Sequence, residues 1–582
     1  VSSARRAGRF LAAATGAAIL LTACGAADNA PAADPSTAPS APASGAANAS
    51  TITHTFEQEI SSYNAETAEE YSSKNHIVLN RIQTDFWHFG ADGSVQPDKD
   101  MGSYEKTSDD PLTVKYTINP NAVWSDGNAI ACDDVMLTYA VASGKFPEFS
   151  YISTDTWDKI KMPDCAIGDK EVTLNYTKSY GDWAAANLIQ LPAHIVAQQG
   201  GLSEQEMFDA IKAEDHGKLK KAAEFFNKGW IFNGKLPDKA LIPSSGQYVI
   251  DSYSPGQSIT LAANDKYWGE KAKTEKIVIR FIAQDQQVQA LQNGETNIIE
   301  PQSNPDILAQ VEALQNVTVK TGEQFLYDHL DFNFNKGPFK DAKLRQAFAA
   351  CTPRQQIVDN LIKPQNPNAA PMNVRNIAPF QPGYAEAVKF AGADKFNTVD
   401  LEGAKKLVAD SGVKTPIKVN IGYNQPNPRR TQVVELIKAS CDQAGFEVTD
   451  TGSEKFFDDA GDLANGNFDI ALFGWAGSSL NSGWTSTYYT PKKCTPSAKG
   501  NNKGCYSNKE YDKLADQILS ETDPSKVAPL IQQVEKILWD DLATIPLYSQ
   551  PALSAWSSNI QNVQPNPSQA SITWNMHQWA AQ

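Results

Sequence analysis

Residues 468–491 read FDIALFGWAGSSLNSGWTSTYYTP, an apolar strand running into a stretch crowded with Gly, Ser, Trp and Tyr. After Asp469 this stretch holds no carboxylate, ammonium, guanidinium or imidazole. Aromatic faces and hydroxyls of this kind stack against a ligand and hydrogen-bond to it, yet they supply no general acid, general base or metal ligand. The chemistry on offer is binding, of something uncharged or polyhydroxylated. Trp475, Ser478, Ser479, Trp484 and Tyr488 are its candidate contacts.

Catalytic constellations are missing elsewhere. No two glycines are separated by a single residue, and neither a G-x-x-x-x-G-K-[ST] loop nor G-x-S-x-G occurs. The seven histidines (54, 76, 88, 194, 216, 329 and 577) stand apart, none of them in H-E-x-x-H. The paired acids Asp133-Asp134 and Asp540-Asp541 read as helix-start and surface residues. The reading is a binding protein, not an enzyme, that needs neither metal nor cofactor. A formal charge of −16 excludes a nucleic acid as partner, which would call for a net basic face.

The elements that would position such a site are mixed. Leu112, Val114, Tyr116 and Ile118 alternate, as do Val172, Leu174 and Tyr176, and both runs read as half-buried strands. Tyr248/Ile250 and Ile259/Leu261 flank Ser254-Pro255-Gly256-Gln257, a hairpin pattern. Beyond about residue 330 the texture becomes α/β. Thr352-Pro353 with Gln355 reads as a capping box with proline at the first helical position. Val433, Leu436, Ile437, Cys441 and Ala444 trace a helix face stopped at Gly445.

The N-terminal segment reads as an address. Three arginines precede the apolar run Phe10–Leu21, which is too short to cross a bilayer and suits a signal-peptide core. Leu21-Thr22-Ala23-Cys24-Gly25 follows and resembles the bacterial lipobox, which implies cleavage after residue 23 and lipidation of Cys24. Residues 24–50 are almost wholly Ala, Pro, Ser, Gly, Asp, Asn and Thr, a composition that cannot bury a core and reads as a tether. Six further cysteines in an exported chain suggest disulfides. Sequence leaves fifteen pairings open, of which proximity favours Cys132–Cys165, Cys351–Cys441 and Cys494–Cys505.

Several separated stretches resemble one family in order. Residues 92–140 carry Trp124-Ser125-Asp126-Gly127 and Cys132-Asp133-Asp134-Val135 where the family 5 extracellular solute-binding proteins, receptors of peptide and nickel ABC importers, have "W-S-D-G" and "A-D-D-V". LPAHIV (191–196), the block 244–282 with Tyr267-Trp268-Gly269, LQNGETNI (291–298) and residues 331–358 follow in register. The resemblance implies an α/β, two-lobed periplasmic-binding-protein-like fold with an extra subdomain in the large N-terminal lobe. The large lobe would span 51–326 with an inserted subdomain at about 92–235, the small α/β lobe 327–546, and residues 547–582 would return to the large lobe. The lobes would close on a ligand by hinge motion, with crossings near Phe325–Asp331 and Ile545–Tyr548.

Peptide receptors of the family place an Asp three residues after the Trp that Trp475 matches, where it pairs with the peptide's α-ammonium. Here that residue is Ser478, followed by Ser479. The departure suits a neutral ligand, or a peptide held elsewhere, with Asp331 as a replacement carboxylate. Tyr63, Asn64, Phe86 and Tyr423 are further cleft candidates by position. The resemblance thus implies a monomeric, lipid-anchored receptor on the extracytoplasmic face, delivering an oligopeptide-like solute to ABC permease subunits. The alternative is a binder of a neutral glycan or glycolipid envelope metabolite with a regulatory, non-transport role.

Overall fold

The computed structural model describes residues 51–582, apart from 154–155, 459–460, 492–493 and 495–500. The leader, the tether and Cys24 lie outside the described residues. A ten-stranded sheet runs through the molecule, in the order Phe446–Asp450, Ile417–Gly422, Ile470–Ala476, Val317–Phe332, Thr544–Ser557, Ile298–Ile299, Thr51–Phe56, Lys276–Phe281, Ser258–Ala263 and Tyr248–Ser254. A separate three-stranded sheet is formed by Gly102–Asp109, Leu112–Ile118 and Glu171–Asn175. The alternation of Leu112, Val114, Tyr116 and Ile118 buries these four side chains in an apolar core.

Two large apolar cores divide the molecule. The larger draws on residues from Ile52 to Ile298 and on the C-terminal Trp556, Ile572, Met576 and Trp579. The smaller draws on Leu330 to Tyr548 and is built on the parallel strands Ile417–Gly422, Phe446–Asp450 and Ile470–Ala476 with their covering helices. Val317–Phe332 and Thr544–Ser557 belong to both lobes. They pair antiparallel over most of their length, Leu330, Ile545 and Leu547 entering the smaller core while Trp556 enters the larger. Their register shifts between Glu323 and Tyr327, midway along the pair. A bulge in a two-strand connection is a place where a sheet bends.

Disulfides join Cys132–Cys165, Cys351–Cys441 and Cys494–Cys505. Local chemistry departs from the sequence reading in three places. The capping box at Thr352 does not form, because its hydroxyl donates to Phe348 O (2.7 Å) at the end of the preceding helix, and the next helix starts at Arg354. Asp133 and Asp134 do open the helix Cys132–Ala142, but both are buried. Asp134 accepts from Trp124 Nε1, Ala131 N and Ala193 N, and burial beside Asp133 pushes its carboxyl up to about 8. Asp540-Asp541 lies at the C-terminal end of the helix Pro524–Asp540, not at a helix start.

Candidate functional site

A cavity of about 280 Å³ opens in the larger lobe. Three distant segments wall it: residues 66–98, residues 187–190 and residues 569–574. The helix Ser73–Leu79 and the short strand Trp87–Phe89 give the first segment its shape. Asn80 Nδ2 donates to Ala570 O (2.7 Å), and Arg81 Nε donates to Trp574 O, which draws the C-terminal segment onto that wall. Trp87 Nε1 donates to Asn187 Oδ1 (3.0 Å). The Asp85 carboxylate accepts from the amides of Phe86 (2.7 Å), Leu188 (2.6 Å) and Ile189 (3.1 Å), fixing the third wall.

The lining combines aromatic faces with polar groups, two of them neutral imidazoles. His88 stacks on Trp574 with ring centroids 5.9 Å apart. Burial lowers the imidazoles of His76 and His88 to about 4, so both are uncharged near neutral pH. Burial also raises the Asp85 and Glu66 carboxyls to about 7. Three enclosed polar atoms at this cavity find no hydrogen-bond partner among the described residues: His76 Nε2, His88 Nδ1 and Gln190 Oε1. Such groups are costly to leave unpaired and are natural contacts for a bound molecule.

The strand Ile470–Ala476 and the loop after it form a second polar region, where the two central strands cross. His329 stacks on Trp475 with centroids 5.7 Å apart, and its Nε2 lies 3.3 Å from Asp331 Oδ1. Asp331, Trp475 and Tyr488 border a pocket of only about 10 Å³, room for a single water. Trp484 packs on Phe325 and Tyr327 and donates its Nε1 to Ser478 O. Tyr488 shares a hydroxyl hydrogen bond with Tyr327 (2.8 Å). The aromatic part of the neutral stretch is therefore largely spent on packing. Trp475 Nε1 and Ser479 Oγ remain enclosed without a partner among the described residues.

The other residues singled out from sequence are scattered. Tyr63 is fully buried against Trp230, with its hydroxyl donating to Pro243 O. Asn64 donates to Phe226 O (2.8 Å) and accepts from Glu66 N (3.0 Å), so it shapes the loop that presents Glu66. Phe86 is buried against Tyr104 and Tyr116, one residue before the cavity-lining Trp87. Tyr423 lies in the smaller core and donates to Asp450 Oδ2 (2.8 Å). Glu66, His76, His88, Gln190 and Trp574 were not singled out for this wall. They carry no motif, and only the folded chain brings their three segments together. Among the described residues, no three His, Cys, Asp or Glu side chains converge to hold a metal ion.

Residues 95–495 match the family model of bacterial extracellular solute-binding proteins, family 5, middle region. An uncharacterized lipoprotein of Mycobacterium tuberculosis is 27% identical over 545 residues, covering 91% of this chain and 93% of the relative. Among solved structures, a periplasmic EDTA-binding protein superposes with a TM-score of 0.79 at 22% identity, over 91% of this chain and 96% of that one. The oligopeptide-binding protein AppA of Bacillus subtilis, solved with a nonapeptide, gives 0.70 at 19% identity over 91% and 99%.

Proposed function

Since this chain belongs to the bacterial extracellular solute-binding proteins of family 5, which serve ABC importers, we propose that it is a lipid-anchored receptor for an oligopeptide-like solute. The anchor is the acylated Cys24, and the tether 24–50 lets residues 51–582 range just off the membrane. The solute sits between the lobes, with the large-lobe cavity as one wall, and closure of the hinge presents it to permease subunits. The observation that carries this reading is the cavity itself. It combines aromatic walls with enclosed polar atoms that no group of the described residues satisfies, and its volume is near the lower end of small-molecule sites.

A second reading, a neutral glycan or glycolipid bound in a regulatory role, draws on Trp475 Nε1 and Ser479 Oγ, both unpartnered beside the crossing. It is weaker because Trp484 and Tyr488, which would supply the stacking faces, are engaged with Phe325 and Tyr327. Mass spectrometry of ligand released from residues 51–582, purified gently from a native host, separates the two. Peptides in stoichiometric amount are the expected result. A glycan or glycolipid overturns the peptide reading and supports the second one.

A further inference from the structure

Four side chains at the large-lobe cavity carry formal charge, and three of them are engaged within the protein. Asp85 is ringed by three backbone amides, and Arg81 reaches Trp574 O and lies 3.9 Å from Asp98. Glu66 differs. It lines the cavity, yet its carboxylate takes no hydrogen bond and no ion pair from any described residue. Its backbone is nonetheless held firmly, with Glu66 N donating to Asn64 Oδ1 (3.0 Å) and Glu66 O accepting from Ile152 N (3.0 Å).

We propose that Glu66 anchors a ligand ammonium group, so that the solute taken by this cavity carries a free primary amine. This rests on the reading above that the cavity is a wall of the solute site. An ammonium is donor-only, with three N–H bonds to place. The cavity offers matching acceptors in the Glu66 carboxylate, Gln190 Oε1 and, in the tautomer protonated on Nδ1, the neutral His76 Nε2. Two tyrosines connect these groups. Tyr71 feels the Glu66 charge and sets its ring edge-on to His76 (4.9 Å), while Tyr151 feels the same charge and accepts from Gln190 Nε2. An anionic ligand would meet no free cation here, because the Arg81 guanidinium is already engaged. A neutral ligand would cover the half-buried Glu66 carboxylate and leave it without a counter-charge, an expensive arrangement. Asp331 cannot take the same role, since the pocket beside it holds about 10 Å³.

Two degenerate tetrapeptide pools of identical composition test this, one with free amino termini and one N-acetylated, both lacking lysine. Each is titrated calorimetrically into residues 51–582 of the wild type and of Glu66→Gln. The expected result is binding of the free pool by the wild type, a loss of roughly tenfold or more in affinity on acetylation, and a similar loss in Glu66→Gln. Equal affinity for the two pools overturns the Glu66 anchor and leaves the peptide reading intact. Failure of both pools to bind at millimolar concentration overturns both. The wild-type comparison of pools stands even if the variant folds poorly.

Discussion

Asp328 is a fully buried carboxylate and Glu66 a half-buried one that faces a cavity, and their surroundings are opposite. Asp328, on the central strand, accepts from Arg430 Nη2 (3.0 Å), Tyr548 OH (2.8 Å) and Gln550 Nε2 (3.0 Å), with Arg429 Nη2 3.7 Å away. Despite its burial, the two guanidiniums hold its carboxyl far below the usual carboxylate range. Nearby, Arg375 and Glu535 form a second fully buried pair, Nη1 to Oε2 at 3.1 Å. Glu66 has no such company, and burial alone raises its carboxyl to about 7. The Asp328 carboxylate is thus saturated by protein partners, although Arg430 Nε in the same cluster and Trp475 Nε1 beside it lack one among the described residues, whereas the Glu66 carboxyl at the cavity has none. An enclosed polar group without a partner is costly to the apo fold, which makes it a marker of what the fold is for.

Removing Asp328 is the hardest test of that contrast. Asp328→Ala leaves two buried guanidiniums facing each other, and the expected loss is about 3–5 kcal/mol of unfolding free energy. Urea denaturation should show a lower midpoint with an unchanged slope. Because the folded pKa of Asp328 is depressed, its stabilising contribution is present above the unfolded carboxylate value and is lost as the pH falls toward the folded one. The wild type should therefore lose its advantage over Asp328→Ala in strong acid. A variant that unfolds at the wild-type midpoint would show that this cluster does not hold the seam.

Glu66 should behave in the opposite sense. Its folded pKa is raised, so below about 4.5 it is protonated in both states and costs nothing. Between there and about 7 only the folded state keeps the proton, and stability falls as the pH rises. Glu66→Gln should match the wild type near the acid end and exceed it at pH 8 by on the order of 1 kcal/mol without ligand, since the carboxyl faces a cavity and part of its burial penalty is relieved. Tyr71 and Tyr151, which interact with it, and the other titratable groups of the cavity, His76, Asp85, Arg81 and Asp98, are common to both proteins and cancel in the difference to first order. Thermal melts at the two pH values measure this. A variant less stable than wild type at pH 8 would mean that the carboxylate has a protein partner after all.

The same contrast explains what the sequence could and could not tell. Strands announced themselves, since Leu112 to Ile118 alternate and the burial follows residue by residue. The turn at Gly256 and the helix stop at Gly445 were also readable, because positive φ (68° and 100°) is a local demand that glycine meets. Composition picked out the neutral stretch after Asp469 but not the use made of it. Whether Trp484 faces a ligand or a core depends on Phe325 and Tyr327, more than a hundred residues away in sequence. Asp134 looked like a surface residue for a similar reason, as its partner Ala193 is 59 residues away. The cavity was least legible, because Gln190 and Trp574 join Glu66 only through the tertiary fold.

The smallest expected effect lies between the two regions. Asp182, in the larger lobe, accepts from the amides of Asn481 (3.0 Å) and Ser482 (2.8 Å) at the start of the short helix Asn481–Thr485. One residue earlier, Gly181 N donates to Leu519 O (2.7 Å), and an added Cβ at Gly181 would meet Glu521 O at 2.6 Å. The neutral stretch is thus clasped to the larger lobe by a carboxylate that it does not itself contain. Asp182→Ala removes an acceptor for two helix-start amides, a loss of about 1 kcal/mol, and amides that separate from the other lobe can be satisfied by water. The cost should therefore fall on the docking of the lobes and hardly on their folding. Small-angle scattering of the apo protein should give a larger radius of gyration for the variant, while the unfolding free energy from urea denaturation stays within about 0.5 kcal/mol of wild type. Identical scattering curves would show that packing at Gly181 and Trp484 holds the lobes without the carboxylate. A lowered urea midpoint would show that Asp182 belongs with Asp328 as part of the structural seam.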